Sequence, residues 1–462
     1  MSAPTRPLVY NFFLMDTPSH ISQGMWRHPE SRATEYNDLG LWVELAQLAE
    51  RHHFDAIFIA DNFGMYPPVG GSSDVVIERA LQFPISEPAM LVSAMAHATK
   101  DLGIVYTNSV LQQHPFAFAR QMSTLDHLTN GRVGWNMVSS FNANGFRSMG
   151  MDGFVDHDER YTWLEEYVEV VYKLWEGSWA DGAVLKDRDT GIYADPSKVR
   201  KINHLGKRYS VEGPHLSEPS PQRTPVLFQA GSSAAGLDFG ARHTEGAFMI
   251  SGKPEASASK IAKMKERAIA LGRNANDIHF IEGLTFVVGS TEEEAQRKAD
   301  ELDEWADVTA QMAMSSASAG IDLTRFDPDE PLVNIIDQAQ GLRGSIQLCI
   351  DNAPKGKVAT VADLGRDNAR QWRITGTPES IADRITEYAE AGVTGINIMS
   401  ITVPGTFADF AEHVTPILKE RGLMQREYQE GTLREKLFPG GGPRLGETHP
   451  ARAYRDSHEY SH

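Results

Sequence analysis

Apolar runs alternate with amphipathic stretches along most of the chain. LVYNFFL (8–14), apolar but for Asn11, reads as a buried strand. Residues 38–52 follow with Leu41, Leu45, Leu48 and Ala49 on one helical face and Asn37 or Asp38 as cap. The same alternation repeats as strand 54–61 and helix 87–99, strand 102–110 and helix 115–129, then strand 132–140 and helix 158–176. Strands 224–231, 245–251 and 278–289 follow, with helix 254–272 between the last two. Helix 374–392 opens with Gly-Thr-Pro and stops at Gly392; strand 393–400 and helix 407–421 close the set. About eight strand–helix units in order, with no run of consecutive strands, predict a parallel sheet. The count predicts an α/β fold, a (β/α)8 TIM barrel with insertions. A doubly wound open sheet would want G-x-G-x-x-G after its first strand, where MDTPSHISQGMW stands instead.

Two regions break the rhythm. Residues 178–222 are polar and rich in Gly and Pro, and residues 292–372 are helix-rich; both read as insertions. Residues 1–436 are therefore expected to form one domain, and 437–462 (FPGGGPRLGETHP and beyond) an irregular tail outside the core.

Composition narrows the function classes. The 462 residues carry a formal charge of −18 and a single Cys, Cys349. One Cys excludes an intramolecular disulfide framework and a thiolate metal cluster. No H-E-x-x-H or other ligand-spaced cluster occurs, so no metal is expected. An acidic chain without a Lys/Arg-dense stretch argues against nucleic acid and membrane surfaces. With no signal peptide and no apolar run of spanning length, the expected location is the cytoplasm.

In a barrel the chemistry sits at the C-terminal ends of the strands. Here those ends carry Asp16, Ser19 and His20; Asp61 and Asn62; Thr107, Asn108 and Ser109; Asn136, Ser139 and Ser140; Gln229 to Ser233; and Phe248 with Met249. Neutral hydrogen-bonding groups over an apolar barrel suit a large, flat, partly apolar ligand. Taken singly, such residues equally serve to end strands and cap helices. QAGSSAAG places Gly231, Ser232 and Ser233 at a helix N-terminus, an anion site in type. DHDERY (156–161) sets His157 and Tyr161 four apart on one face of a first turn, where they either bind phosphate or pack locally.

These residues resemble the bacterial-luciferase superfamily of flavin-dependent enzymes. The resemblance is narrowest to the branch of nitrilotriacetate, dibenzothiophene-sulfone and dimethyl-sulfide monooxygenases. It rests on GMWRHP (24–29), FDAIFIAD (54–61), STLDHLTNGRVGWNMVSS (123–140), DHDERY, YKLWEGSW (172–179), SPQRTPVLFQAGSS (220–233) and GTPESIAD (376–383), in order from about residue 8 to 435. THPARAYR (448–455) looks most like the dimethyl-sulfide members. The resemblance implies a luciferase-like barrel that binds FMN as FMNH2 from a separate NAD(P)H:flavin reductase, uses O2 as co-substrate, and assembles as a homodimer or homotetramer. Carried over residue by residue, the FMN contacts fall on Asp61, Thr107, His157, Tyr161, Ser232 and Ser233, with Asn136 near the flavin ring. Phe12, His20 and Phe248 match the substrate pocket, and the apolar loop 62–85 adds Met65. His20, with an unperturbed pKa near neutrality, is the candidate acid/base and Ser139 a candidate hydrogen-bond donor to the flavin. Sulfone-cleaving relatives carry a His where SSASAGIDL (315–323) offers Ser318, which argues against a sulfone substrate. The expected reaction is hydroxylation or cleavage of a small organosulfur or aromatic compound. Kept open are an aminopolycarboxylate substrate, hydride transfer with a deazaflavin, flavin binding without catalysis, and a barrel enzyme acting on a phosphorylated metabolite.

Overall fold

The structure is a computed structural model describing residues 6–68, 70–153, 155–231, 233–338, 344–353, 356–367, 370 and 372–455. Eight parallel strands close into a barrel: β1 (Val9–Met15), β2 (Ala56–Ala60), β3 (Gly103–Ser109), β4 (Val133–Val138), β5 (Val226–Gln229), β6 (Gly246–Met249), β7 (His279–Val288) and β8 (Gly395–Met399). Each pairs with the next, and β8 returns to β1 in the register Asn11↔Asn397. The alternation in the sequence predicts this ring. A parallel strand needs a helical crossover before its neighbour, and eight such units close. The helices are α1 (Leu39–Arg51), α2 (Ala89–Ala98), α3 (Pro115–Leu128), α4 (His157–Tyr172), α5 (Ala234–His243), α6 (Pro254–Ala270), α7 (Pro378–Glu390) and a closing stretch including Gly405–Asp409 and Thr415–Glu420. Asp38 caps α1 by accepting from the Gly40 N–H.

The barrel is plugged by aromatic rings. Phe13 lies 5.3 Å from Phe58 and 4.9 Å from Phe248, and Phe58 lies 5.4 Å from Phe228. Rings from β1, β2, β5 and β6 can meet this way only inside the ring. Glycines opposite make the room: a Cβ at Gly246 would come within 2.3 Å of Phe228, and one at Gly283 within 2.8 Å of Phe248. Phe12 faces the other way. It stacks on Phe407 at 4.3 Å and meets Phe54 at 4.4 Å in a tilted contact, in the layer between sheet and helices. Phe12, expected in a pocket, thus faces the helices, and it is Phe13 that faces the barrel interior, because successive strand residues point to opposite faces.

The segment 178–222 carries two small antiparallel pairs, Val184–Asp187 with Ile192–Ala194 and His204–Leu205 with Ser210–Val211. After β7 come helices Glu292–Trp305, Val308–Ala319, Gly344–Asn352 and Val361–Asp367. The short strand Arg373–Gly376 then pairs with the far half of β7. The tail differs from its composition. Leu445, His449 and Ala451 are buried, and His449 Nε2 meets the His243 carbonyl at 2.9 Å. Just before it, Arg434 forks onto buried Glu245 at 2.7 and 2.9 Å. A few anchoring side chains, rather than a continuous apolar pattern, hold this stretch on the barrel. No helix among the described residues is long and apolar enough to cross a membrane.

Candidate functional site

The interior faces of β3 and β4 bring Thr107 and Asn136 side by side in register. The Thr107 hydroxyl donates to the Ile59 carbonyl (3.1 Å) and accepts from Asn136 Nδ2 (2.8 Å). This fixes the amide and leaves Asn136 Oδ1 buried without a partner among the described residues. Two more buried polar atoms at the strand ends share that state: Asp16 Oδ1 and Asn62 Nδ2. Buried groups of this kind cost free energy unless something satisfies them, so a cluster at a barrel mouth fits a polar, planar ligand.

Asp61, just past β2, accepts from Gln112 Nε2 at 2.8 Å, and Gln112 Oε1 in turn accepts from the Ser109 N–H. Burial, then the neighbouring Glu87, pushes the Asp61 carboxyl up to about 7. Asp16 is also raised to about 7, by burial and then by Glu87. Gln112 had no signal in the sequence: a glutamine three residues past a strand belongs to no motif.

A second corner lies at the edge of the mouth. Ser233 caps α5 by accepting from the Gly236 N–H at 3.0 Å. The Tyr161 hydroxyl, one turn into α4, hydrogen-bonds with Ser233 and Gln229, and burial raises its pKa. Space is tight: a Cβ on Gly236 would lie 2.6 Å from the Tyr161 oxygen and 3.0 Å from Gly231 Cα. His157 opens α4 one turn before Tyr161. Its side chain, and Ser232 altogether, lie outside the described residues. Arg160 Nη1 donates to the Ser140 carbonyl, tying α4 to the end of β4. Ser139 is partly exposed there, next to the pair Ser109 Oγ–Ser140 Oγ at 2.6 Å.

His20 lies over the mouth, its ring 5.0 Å from Phe13. Burial lowers its pKa to about 3, so the imidazole is neutral at neutral pH, unlike the near-neutral value expected from the sequence. Its Nδ1 has no partner among the described residues. Above it, Met65, Phe83, Phe141 and Met314 pack around Tyr66, Val76, Leu81, Ala313 and Ala317, joining loop 62–85 to the helix Val308–Ala319. A separate cavity of about 500 Å³ outside the barrel, lined by Glu165, Tyr172, Lys173, His204 and Arg242 among others, contains none of the expected site residues. Among the described residues no group of three or more His, Cys, Asp or Glu is placed to hold a metal ion.

A closed parallel barrel with an apolar interior, a mouth of neutral polar groups and a helix-capped corner has the architecture of a flavin-dependent barrel oxygenase. The chain belongs to the luciferase-like monooxygenase family, whose model matches residues 19–395. It is 40% identical to a long-chain alkane monooxygenase of Geobacillus thermodenitrificans, over 98% of this chain and 99% of that one. It is also 40% identical to a dimethyl-sulfide monooxygenase of Hyphomicrobium sulfonivorans, over 98% and 94%. The crystal structure of the dimethyl-sulfide enzyme superposes with a TM-score of 0.90, covering 98% of this chain and 96% of that one. A riboflavin lyase crystallised with modified FMN and riboflavin is 35% identical with a TM-score of 0.90, over 98% of this chain and all of the other. The protein is a flavin-dependent monooxygenase of this family, as the sequence motifs imply.

Proposed function

We propose that the protein is the oxygenase of a two-component system in the cytoplasm. It takes FMNH2 from a separate NAD(P)H:flavin reductase and uses O2 to hydroxylate or cleave a small, uncharged organosulfur or aromatic compound, as a homodimer or homotetramer. The observation that carries this reading is the set of partnerless buried polar atoms on Asp16, Asn62 and Asn136 at the strand ends, together with the Tyr161–Ser233–Gln229 corner. In this reading Tyr161 and Ser233, with His157 and Ser232, hold the phosphate at the N-terminus of α5. Asp61, Thr107 and Asn136 hold the flavin ring, and Ser139 donates to it. When bound, reduced FMN supplies the activation of O2; the chain's residues orient substrate and keep water out. His20, neutral, donates or accepts a hydrogen bond at the substrate rather than acting as an imidazolium acid. Phe13, Phe248 and Met65 form the apolar wall.

The cations near the mouth support an uncharged substrate. Arg79 is bonded to Asp307, Arg27 to the Trp305 carbonyl and Arg160 to the Ser140 carbonyl. A polycarboxylate needs several bidentate cations, which this arrangement does not offer. A longer unactivated hydrocarbon is the second reading, favoured by the apolar roof of Met65, Tyr66, Phe83 and Met314. The test supplies photoreduced FMN and 18O-labelled O2 with dimethyl sulfide, aryl thioethers, n-alkanes and nitrilotriacetate in turn. Label in a product from the first two supports the reading, and label only from alkanes moves it to the second. Label from nitrilotriacetate, or hydride transfer with a reduced deazaflavin and no O2 uptake, overturns it.

A further inference from the structure

Asp307 stands at the junction of helices Glu292–Trp305 and Val308–Ala319, and its side chain is only 8% exposed. Its backbone N–H donates to the Gln23 carbonyl at 3.0 Å, in the loop after β1. Its Oδ1 accepts from the Ala310 N–H at 3.0 Å and so caps the second helix. Its Oδ2 accepts from Arg79 Nη1 at 3.2 Å. Arg79 is the only Lys or Arg in loop 62–85. The approach of the first loop depends on Gly24 at φ +90°, where a Cβ would lie 2.7 Å from the Trp305 oxygen and 2.8 Å from the Asp307 nitrogen. One residue thus draws together the three segments that cover the barrel mouth.

The same network reaches His20. Its carbonyl accepts from Gln23 Nε2 at 2.7 Å and from Gln82 Nε2 at 3.1 Å, and Gln82 is held by the Tyr66 hydroxyl at 2.9 Å. Gln23 lies next to the Gly24–Asp307 contact, and Gln82 lies three residues past Arg79. His20 is therefore gripped from both sides by segments that meet at Asp307.

We propose that Arg79 and Asp307 are positioning residues: their pair locks loop 62–85 to the Val308–Ala319 helix, holds the His20 loop in place, and shields reduced flavin from water. The shielding part rests on the flavin reading above. The charge of Arg79 is paired with Asp307 at the edge of the roof and is not an anion receptor for substrate.

Four variants test this. D307N keeps the size and the Ala310 cap but removes the charge; R79M keeps the length; the double variant and R79K complete the set. Hydrogen exchange of peptides covering 16–28 and 70–85 is measured in the protein without flavin. D307N and R79M should each exchange about fivefold faster, the double no faster than either, and R79K near wild type. H2O2 release is then followed after FMNH2-loaded protein meets O2, without substrate, and should be about threefold faster in D307N and R79M. Unchanged exchange in both single variants overturns the latch. Faster exchange with unchanged H2O2 release overturns the positioning role, leaving a structural contact. If D307N fails to fold, R79M, at a half-exposed position, decides the same question. If the protein takes up no FMNH2, the flavin reading falls and the exchange result still decides the latch.

Discussion

Replacing Gly236 by Ala separates the phosphate corner from the stability of the fold. Gly236 sits in the first turn of α5, where Ala is intrinsically the better helix former by roughly 1 kcal/mol. The added Cβ would lie 2.6 Å from the Tyr161 oxygen, 3.0 Å from Gly231 Cα and 3.1 Å from Ser233 Oγ. Gly231 Cα is backbone and already at the shortest distance real Cβ atoms tolerate, so the Tyr161 ring must yield. Its oxygen has to retreat by about 0.4 Å to reach 3.0 Å, and by about 0.8 Å for ordinary contact at 3.4 Å. Either shift disturbs its hydrogen bonds to Ser233 and Gln229 and the place it offers a phosphate. A hydrogen bond from a neutral donor to a charged phosphate is worth about 1.5–3 kcal/mol. Losing it, with some relaxation, should weaken FMN binding about tenfold or more. Riboflavin lacks the phosphate and serves as the control. Anaerobic fluorescence titrations with FMN and riboflavin, before and after reduction, give the four affinities, and a thermal melt gives Tm. The expected result is a loss for FMN and FMNH2, riboflavin within about twofold of wild type, and Tm unchanged or lower by only a few degrees, the helix gain offsetting part of the strain. Equal weakening of FMN and riboflavin, or no change in either, would place the phosphate elsewhere and refute the assignment of Tyr161 and Ser233.

Other consequences can be checked in parallel. H20A should divert most of the O2 consumed in single turnovers to H2O2. H20N, which keeps a neutral hydrogen-bonding group, should restore part of the product, with the same pH profile as wild type between pH 5.5 and about 8.5, because the imidazole does not titrate there. An H20N profile that loses an ionisation near 6.5 would contradict the lowered pKa. Asp16 has its carboxyl raised to about 7 from an ordinary 3.8. The stability linked to its proton is fully present below about pH 4 and is lost as pH rises to about 7. D16N should therefore raise Tm by about 3 °C or more at pH 8 and do little at pH 4; a larger gain at pH 4 would reverse the sign of the argument. F12A should cost about 3–5 kcal/mol in urea unfolding and leave FMN affinity alone, since its ring packs under the helices. F13A should alter which substrates are oxidised, because its ring lies against Phe248 and His20.

What could be read from the chain divides along a physical line. The strand ends were legible because a closed parallel barrel buries its strands on both faces. Each strand therefore appears as an apolar run that stops abruptly at Asp61, Asn108–Ser109 or Ser139–Ser140. The fold then places those stops at one mouth, whatever the intervening loops do. The direction of each side chain was not legible, for the same reason. Val9–Met15 is buried at every position, so Phe12 and Phe13 differ only in that Phe13 shares its face with Asn11, the strand's single polar residue, whose bond to Asn397 on the neighbouring strand is set by barrel closure and has no local signal. The tail misled because Gly and Pro dominate its count, whereas a few side chains, Leu445, His449 and Ala451, carry its packing.

The roof was hidden by a different cause. Arg79 and Asp307 are 228 residues apart, and Gln23 and Met314 are 291 apart. No local pattern marks such pairs. The pKa of His20 depends on that roof as well, since burial is what lowers it. The site thus has a floor set by topology and a cover set by long-range packing. Changes on the floor, at Asn136, Tyr161 or Gly236, should act on how tightly the cofactor is held. Changes in the cover, at Met65, Arg79, Asp307 or Met314, should act on which substrate is oxidised and on how much O2 is lost as H2O2. A variant at Asn136, Tyr161 or Gly236 that switched substrate while keeping cofactor affinity would break this division of the polar floor from the apolar wall and cover.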